Sequence, residues 1–457
     1  MNNIQNSKAL NTVKCPALFF CAPASGQGKT TITAGIARYH KNQGRDVRVF
    51  KTGPDYLDPL ILAQASGNPV TQLDLWMLGN EQCKQYLYEA ALEADLILIE
   101  GVMGMFDGNP SGADMAQYFG IPVVAIIDAR AMAQTFGAVA YGLATYRPKQ
   151  NYQESELALK FSGVIANKVG SERHAELIKE SIPENVKLLA CLQRDDKMTL
   201  PERHLGLVFP SEVADMEQRL DDIANVIATS ELSKLPESVQ FLPGSVKAYP
   251  SEIINGKLRG KKIGIAKDDA FSFIYTANER FLTEMGAELI YFSPLRDDQI
   301  PEVDALWFPG GYPELHMEAL QNNTSMSKSI KQFYSAGKKI LAECGGMLYL
   351  QTSLTSLDGN KCTMVGLIPG DAIMRDRGGC QGMQYAPILG NGNLAGEVRA
   401  HAHHRSRTEN TLEPLANGRR LRHPAPGEAI VKSKGLIATY LHLYFASNPS
   451  VILGIFA

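Results

Sequence analysis

The sequence lacks three features that mark special classes of protein. Its 457 residues include 45 Lys and Arg and 48 Asp and Glu, so the chain lacks the large positive charge that would attract a nucleic-acid backbone. The longest apolar runs, such as Leu96–Ile99 and Val123–Ile127, are too short to span a bilayer. Residues 1–14 lack the apolar core of a signal peptide. We therefore expect a cytoplasmic protein without nucleic-acid or membrane partners.

Cysteine is also scarce, and no two cysteines form a C-x-x-C pair. An odd number of scattered cysteines indicates neither a zinc knuckle nor a disulfide framework, and it favours a reducing compartment. The seven are Cys15, Cys21, Cys83, Cys191, Cys344, Cys362 and Cys380. Apolar residues make up 45% of the chain and charged residues 20%, as in a globular protein with a full core. The length predicts two or three domains.

Short apolar runs alternate with longer, helix-like segments in both halves of the chain. Uninterrupted apolar runs that end in turn residues are typical of parallel strands covered by helices on both faces. The predicted strands of the first half are Ala17–Cys21, Val47–Phe50, Leu96–Glu100, Val123–Asp128 and Gly163–Asn167. Those of the second half are Lys262–Ala266, Ala287–Phe292, Ala305–Phe308 and Ile340–Ala342, with a helix over Asn278–Met285. The sequence thus predicts two α/β domains.

The alternation fails between about residues 228 and 257, where Pro, Ser and charged residues mix without a period. We place a first domain at residues 1–235, a linker at 236–260, a second domain at 261–449 and a tail at 450–457.

A glycine-rich turn follows the first predicted strand and leads into a helix over Ile32–Tyr39. Small residues let backbone N–H groups curl around phosphate oxygens at the positive end of a helix. In such a loop the lysine reaches the β- and γ-phosphates and the next threonine ligates Mg²⁺. The residues expected at the nucleotide are Gly26, Gly28, Lys29, Thr30 and Thr31. Pro23 replaces the first glycine of the pattern, so the loop is a variant, and a plain turn is the alternative.

Two acidic positions follow neighbouring predicted strands. Asp55 lies in the segment Lys51–Pro59, and Glu100 ends the buried run Leu96–Glu100. Ligands bind at the carboxyl ends of the strands in open α/β sheets. Each acid could instead cap a helix or lie in a solvated turn. Together with Thr30 they predict a site for nucleotide-bound Mg²⁺.

In the second half, Cys344 lies between a strand and a helix, in the sequence Glu-Cys-Gly-Gly. Such an elbow is expected to expose the sulfur, and a helix N-terminus to lower its pKa. Gly311 and Gly345 are candidate donors of N–H groups to an oxyanion. His442 is the candidate base. The alternatives are a buried small cysteine and a core histidine.

The chain resembles the cobyrinate a,c-diamide synthase family, glutamine-dependent amidoligases that amidate two carboxylates of a corrin precursor. The segments that carry the resemblance are Lys51–Pro59, Gly101–Gly108, Pro201–Leu207, Asp268–Asn278, Phe308–Glu314 and Thr439–Phe445. The resemblance implies an N-terminal P-loop domain similar to dethiobiotin synthetase, with a parallel sheet. It also implies a C-terminal α/β domain of the class I glutamine amidotransferase type.

The resemblance further implies roles for individual residues. Cys344 is the nucleophile and His442 its base, Thr30, Asp55 and Glu100 hold Mg²⁺, and Asn167 contacts adenine. The substrate contacts it suggests are Lys51, Tyr56, Asp58, Arg203, His204, His401 and His404. The expected partners are ATP, L-glutamine and a corrinoid carboxylate, and the chain could form a homodimer.

The chain departs from the family pattern at two places. Triad amidotransferases usually carry Glu two residues after the histidine, where this chain has Tyr444, so the site is a Cys–His dyad or takes its third member from elsewhere. The motif with His401, His403 and His404 is more often written G-H-E-F-H-Y-S. On a strand the first two face one side and the third the other, which spoils a three-histidine metal site and favours contact with an anion or substrate.

The expected reaction is amidation of the a and c carboxylates of cobyrinate, in cobalamin biosynthesis. Hydrogenobyrinate, which lacks cobalt, is an alternative substrate, and enzymes of this type also act on nickel sirohydrochlorin. Cobyrate synthase shares both domain types, but the segment Lys51–Pro59 favours the a,c-diamide enzyme. Two rivals are a partition-type ATPase, whose early loop lysine is replaced here by Ala24, and a glutaminase without ligase activity.

Overall fold

A computed structural model describes residues 12–148, 157–195, 198–200, 202–203, 206–207, 210–245, 258–390 and 393–457. The side chains of residues 202–203, 206–207, 211, 389–390 and 393–395 are outside this description. The chain divides into two compact units, residues 1–247 and 248–457. No helix among the described residues is both long and apolar enough to cross a membrane. All seven cysteines are free thiols.

The first unit is built on a mostly parallel sheet. Its strands are β1 (Val13–Cys21), β2 (Val47–Thr52), β3 (Thr71–Leu73), β4 (Leu96–Glu100), β5 (Val123–Asp128), β6 (Phe161–Val169), β7 (Leu188–Gln193), β8 (Glu202–Arg203), β9 (Gly206–Leu207) and β10 (Ser238–Phe241). Its helices are α1 (Lys29–Asn42), α2 (Leu57–Ser66), α3 (Asn80–Glu93), α4 (Gly112–Phe119), α5 (Thr135–Thr145), α6 (Glu172–Ser181) and α7 (Met216–Ala228), with 3₁₀ turns at Pro210–Glu212 and Glu231–Ser233.

Seven of these strands pair in parallel in the order β3-β2-β4-β1-β5-β6-β7. The five predicted strands are all present. Every residue of β4 is buried, as expected for the four apolar residues that precede Glu100. Phe20 of β1 and Lys51 of β2 both pair with Glu100 of β4. The loops that leave β1, β2 and β4 therefore start at one edge of the sheet.

The predicted linker is wrong over Ser238–Phe241. These residues form β10, which pairs antiparallel with the first four residues of β1. The reason is a short alternation in which Val239 and Phe241 are buried and their neighbours exposed. A two-residue period over four positions was hidden by the surrounding Pro and Ser.

The second unit contains a larger mixed sheet. Its strands are β11 (Lys262–Ala266), β12 (Glu288–Phe292), β13 (Ala305–Phe308), β14 (Lys339–Glu343), β15 (Gln351–Thr355), β16 (Lys361–Thr363), β17 (Ile368–Met374), β18 (Gly382–Gly390), β19 (Asn393–Ala402), β20 (Ser406–Glu409), β21 (Ala416–Arg420), β22 (Pro426–Ser433), β23 (Leu436–Thr439) and β24 (His442–Leu443). Its helices are α8 (Thr276–Glu284), α9 (Met317–Asn322), α10 (Thr324–Ser335), α11 (Gly345–Leu350) and α12 (Pro449–Phe456), with 3₁₀ turns at Pro313–Leu315 and Phe445–Ser447.

The strand order in the large sheet is β12-β11-β13-β14-β23-β22-β21-β18-β19-β24. The first five strands are parallel and the others antiparallel. A smaller sheet has the order β16-β15-β17-β20. The four strands and the helix predicted for this half are all present, with ends shifted by one or two residues. Because these strands alternate with helices along the chain, the unit has the predicted α/β fold class.

The predicted tail at residues 450–457 is wrong. This segment is the helix α12, whose apolar side chains belong to the core of the second unit. The Asn448 side chain accepts from the Val451 N–H at 3.4 Å and begins the helix. The ring of Phe456 contacts Phe445, with centroids 5.8 Å apart. Burial of these apolar residues against the core stabilises the helix.

Candidate active sites

The phosphate loop joins β1 to α1 and has the backbone that its glycines permit. Gly26 and Gly28 have φ of 77° and 88°. Asn167 of β6 donates its side-chain N–H to the Gln27 carbonyl at 2.9 Å. A Cβ on Gly28 would collide with this Asn167 nitrogen. The predicted adenine-contacting residue thus lies directly against the phosphate loop.

Lys29 is buried, and its Nζ donates to the carbonyl of Met103 at 2.9 Å. Met103 belongs to the loop after β4, which lies along the phosphate loop because the Met105 N–H donates to Ala22 O at 2.7 Å. Burial, followed by the charge of Lys51, lowers the pKa of Lys29. Sequence reasoning missed this contact, although Gly101–Gly108 stood out as a family motif.

The acidic residues converge on a buried lysine. Thr30 Oγ1 donates to Glu100 Oε1 at 2.9 Å. The Nζ of Lys51 lies 2.5 Å from both Asp58 Oδ2 and Glu100 Oε1. Asp55 Oδ2 lies 3.7 Å from the same nitrogen. The structure therefore brings together the residues predicted for the metal and two of those predicted for substrate.

Burial and charge compete in this cluster. Burial raises the pKa of Glu100, and it raises the pKa of Asp55 to about 7. Burial is also the largest effect on Asp58, but the Lys51 ammonium together with hydrogen bonds from Lys51, Asp55 and Thr30 outweighs it, so the pKa of Asp58 is lowered. For Lys51 the carboxylates outweigh burial, so its pKa lies well above the usual value. Lys51 is 2% exposed, a position that suits a counter-ion rather than direct contact with substrate.

The cluster also has the donor chemistry that Mg²⁺ prefers. Glu100 Oε2 is buried and has no hydrogen-bond partner among the described residues. Asp55 uses Oδ1 to accept from the N–H groups of Leu57 and Asp58, so the helix-cap alternative holds for one of its oxygens. The described residues contain no group of three or more His, Cys, Asp and Glu side chains placed to hold a metal alone. A nucleotide-bound Mg²⁺ needs only one or two carboxylates beside the phosphates. The hydroxyl of Thr30 and the carboxylates of Asp55 and Glu100 therefore fit such an ion.

The other residues predicted for this unit are less informative. Thr31 is half-buried in the first turn of α1, and Tyr56 is buried just before α2. Arg203 lies in β8, but its side chain is outside the described residues, and so is the whole of His204.

In the second unit, Cys344 lies at a tight elbow between β14 and α11. Its backbone has φ 45° and ψ −109°, a strained conformation for a residue with a side chain. The Cys344 N–H donates to Thr439 O at 2.8 Å. A Cβ on Gly310 would collide with the His442 ring and lie 3.3 Å from the Cβ of Cys344. The predicted nucleophile and base thus meet at Gly310.

The expectation of an exposed, acidified thiol is wrong for this conformation. Cys344 is 5% exposed, and burial, followed by the charge of Glu314, raises its pKa well above the usual value. The helix α11 has only six residues and does not offset these effects. Burial, followed by His401, lowers the pKa of His442 well below its usual value. A neutral imidazole beside a neutral thiol is the form in which a histidine can accept the thiol proton.

The two glycines predicted for the oxyanion site lie beside the elbow. A Cβ on Gly345 would lie 2.9 Å from Gly311 N and 3.0 Å from Gly311 O. The loop before Gly311 is fixed because Gly310 O accepts from the N–H groups of Ser272 and Phe273, both at 3.0 Å. The structure therefore brings both backbones together, while their role as donors stays a prediction.

From the sequence, His401, His403 and His404 are treated as residues of one strand. The structure shows that the strand does not continue through all three. β19 ends before His403, which is exposed, whereas His401 and His404 are buried. His401 is the direct cross-strand partner of His442. His404 Nε2 contacts Glu428 Oε1 at 2.9 Å. Beyond the end of β19, the backbone N–H of Gly379 donates to His404 O at 2.9 Å.

Sequence reasoning missed the role of Asn278. Its Nδ2 donates to Leu443 O at 2.7 Å, and its Oδ1 accepts from the Phe445 N–H at 2.9 Å. Phe273, from the same segment, contacts the His442 ring, with centroids 6.1 Å apart. In the sequence, the segment Asp268–Asn278 supported the family resemblance but predicted no role for its residues. These contacts show that it supports the strand that carries the histidine.

Comparison with known proteins covers both units. Residues 18–208 match the CobQ/CobB/MinD/ParA nucleotide binding domain, and residues 262–450 match the CobB/CobQ-like glutamine amidotransferase domain. A hydrogenobyrinate a,c-diamide synthase of Stutzerimonas stutzeri is 50% identical over 95% of this chain and 97% of its own. That of Pseudomonas aeruginosa is 47% identical over 98% and 99%. A cobyrinate a,c-diamide synthase of Herminiimonas arsenicoxydans is 46% identical over 95% of each chain.

The chain belongs to the cobyrinate and hydrogenobyrinate a,c-diamide synthase family. The predicted resemblance is thereby confirmed. The α/β fold class is confirmed for both units, because each matches a domain model of this family. A family of such synthases also accounts for the second unit, which a partition-type ATPase would leave unexplained.

Proposed function

We propose that this protein uses ATP and glutamine to amidate the a and c side-chain carboxylates of cobyrinate. The observation that carries the proposal is that one chain of this family holds both a phosphate loop with adjacent acids and a Cys–His elbow. Cobalt-free hydrogenobyrinate is the second candidate substrate, because relatives at 50% and 47% identity bear that name. Both reactions share the same chemistry.

The second unit supplies ammonia from glutamine. Cys344 attacks the side-chain amide carbon while His442 takes the thiol proton and then gives it to the departing ammonia. The N–H groups of Gly311 and Gly345 stabilise the oxyanion of the tetrahedral intermediate. Water then hydrolyses the glutamyl thioester and releases glutamate. Because the thiol starts neutral and buried, the histidine acts as a general base rather than as half of an ion pair.

The first unit activates the acid. Hydroxide cannot leave a carboxylate at neutral pH, so the substrate carboxylate first attacks the γ-phosphate of ATP and forms an acyl phosphate and ADP. Lys29 moves from the Met103 carbonyl to the phosphates and balances their charge. Ammonia then displaces phosphate to give the amide. A second cycle amidates the second carboxylate.

The remaining assignments belong to this proposal. Thr30, Asp55 and Glu100 would hold Mg²⁺, which when bound neutralises charge on the transferring phosphoryl group. Lys51 holds the acids in place between turnovers. Lys51 was among the predicted corrinoid contacts, but its burial favours the counter-ion role. The other predicted contacts are Tyr56, Asp58, Arg203, His204, His401 and His404. A cytoplasmic location and a homodimer likewise stay predictions.

Two variants separate the half-reactions. We expect Cys344→Ala to lose glutamine-dependent amidation but to keep amidation with added ammonium salt, because it removes only the ammonia supply. We expect Lys29→Ala to lose amidation with either nitrogen source while still releasing glutamate from glutamine. Product is measured with ATP and Mg²⁺ on cobyrinate and, separately, on hydrogenobyrinate. Chelation of Mg²⁺ serves as a control that stops ligation without stopping glutamate release.

Equal loss of both nitrogen routes in a folded Cys344→Ala protein would contradict the assigned role of that cysteine. Full ammonium-dependent ligation by Lys29→Ala would remove Lys29 from the mechanism. Wild-type protein that amidates neither tetrapyrrole would refute the proposed substrates.

A further inference from the structure

Glu343 is a buried acid that immediately precedes the nucleophile in the chain. It is the last residue of β14 and is 2% exposed. Its Oε1 accepts from the Leu443 backbone N–H at 2.8 Å, and its Oε2 accepts from the Trp307 indole N–H at 2.8 Å. Both carboxylate oxygens are therefore used, one of them by the neighbour of His442.

These bonds connect the chain on either side of the catalytic pair. Glu343 is one residue before Cys344, and Leu443 is one residue after His442. The other side of Leu443 is also fixed, because its carbonyl accepts from Asn278 Nδ2 at 2.7 Å. A displacement of β24 relative to β14 would break the Glu343 bond at the same time as it moved the histidine from the cysteine.

The position two residues after the histidine offers no carboxylate for this task. It is Tyr444, which is buried and makes a ring contact with Tyr275. We propose that Glu343 is the positioning residue of the Cys–His site, and that it holds His442 in register with Cys344 through the backbone of Leu443 rather than through the imidazole. This inference rests on the proposed roles of the cysteine and histidine.

The arrangement makes a chemical demand that can be tested. Burial raises the pKa of Glu343 to about 8, and the hydrogen bonds from Leu443 and Trp307 act in the opposite direction because they favour the carboxylate. A carboxylate accepts at both oxygens, whereas the amide of glutamine accepts at one end and donates at the other. Glutamine at position 343 would therefore face either Leu443 N–H or Trp307 N–H with a second donor. Removing the indole donor with Trp307→Phe relieves this conflict and lets the amide oxygen accept from Leu443.

The experiment compares wild type, Glu343→Gln, Trp307→Phe and the double variant. Release of glutamate from glutamine is measured without tetrapyrrole, and ammonium-dependent ligation is measured separately. We expect Glu343→Gln to lower the kcat of glutamine hydrolysis by about tenfold or more with little change in KM, since a misplaced base affects the chemical step. Ammonium-dependent ligation should stay at the wild-type rate. The double variant should regain the kcat of Trp307→Phe alone.

A wild-type kcat in Glu343→Gln would overturn the proposal, and so would a parallel loss of ammonium-dependent ligation. A double variant that stays as slow as Glu343→Gln would also overturn it. Should Glu343→Gln fail to fold, Trp307→Phe is combined instead with Glu343→Leu, whose side chain cannot accept from the Leu443 N–H. A kcat of glutamine hydrolysis equal to that of Trp307→Phe alone would then overturn the proposal, and a kcat about tenfold or more lower would support it. Glutamate release that obeys these predictions while neither tetrapyrrole is amidated would instead refute the proposed substrate alone.

Discussion

At the scale of single residues, the two glycines of the phosphate loop have similar backbones but different surroundings. Both have positive φ, in the region that an L side chain enters at a cost of about 1–2 kcal/mol. Nothing lies within 4 Å of a Cβ on Gly26, whereas a Cβ on Gly28 meets the Asn167 amide. A side chain at Gly28 would therefore displace Asn167, the residue expected to contact adenine, whereas a side chain at Gly26 would not.

We predict that Gly28→Ala weakens ATP binding far more than Gly26→Ala does. Both variants bear the same backbone strain, but only Gly28→Ala must also displace Asn167 and lose its bond to Gln27 O. Titration with a fluorescent ATP analogue gives the two dissociation constants, and glutamate release checks that the second unit is intact. Equal dissociation constants for the two variants would show that the Asn167 contact does not matter for the nucleotide.

Cys344 shows what a sequence can and cannot say about a single residue. The apolar run before it and the two glycines after it correctly predicted its place between a strand and a helix, while its role as nucleophile stays a prediction. Its burial and raised pKa could not be predicted, because they depend on Glu314 and on the loops packed around it. The same holds for Lys51, whose segment was singled out but whose three carboxylate neighbours are assembled only by folding.

At the scale of elements, α1 is tied to the 3₁₀ turn at Glu231–Ser233 by a buried histidine. His40 is 1% exposed, and its Nε2 lies 3.1 Å from Leu232 O, so that nitrogen carries the proton. Its Nδ1 accepts from Arg45. Burial lowers the pKa of His40 to about 4. As the pH falls, the imidazole of the unfolded chain therefore binds its second proton at a higher pH than the imidazole of the folded chain.

It follows that the first unit loses stability as the pH falls from about 6.5 towards 4. Between pH 7.5 and pH 5 the contribution of His40 amounts to about 2 kcal/mol of unfolding free energy. We expect His40→Gln, which can make both hydrogen bonds without titrating, to lose less stability over this range than the parent. Urea unfolding at pH 7.5 and pH 5, followed by Trp76 fluorescence in a Trp307→Phe background, measures the difference. Identical pH dependence of the two proteins would contradict a buried, neutral His40.

The elements that could be predicted share one property. In strands such as Leu96–Glu100 the first four residues are all apolar, so a short segment is enough to identify them. β10 has only two buried residues and depends on pairing with β1, which no local pattern reveals. α12 has only eight residues, too few for a stable isolated helix, and it depends on the core into which it packs, which a local pattern does not reveal.

At the scale of the whole molecule, each proposed half-reaction belongs to one unit. The phosphate loop, its acids and Asn167 lie within residues 1–247, and the Cys–His pair lies within residues 248–457. Within each unit the site residues come from the ends of neighbouring strands. Their order along the chain could be read from the sequence, and the parallel topology explains why residues as distant as Thr30 and Glu100 touch.

This division predicts that two inactive variants restore each other's activity in solution. Lys29→Ala still releases ammonia, and Cys344→Ala still ligates it, so their mixture should form the amide from glutamine after a lag in which ammonium accumulates. Each variant alone should form none, and an ammonia-consuming enzyme added to the mixture should abolish the product. Replacing Cys344→Ala by the double variant Lys29→Ala/Cys344→Ala is the matched control, because it removes the ligase and leaves the glutaminase. A mixture that forms no amide, although Lys29→Ala releases ammonium to a concentration at which Cys344→Ala ligates added ammonium salt, would contradict ammonia as the product that passes from one half-reaction to the other.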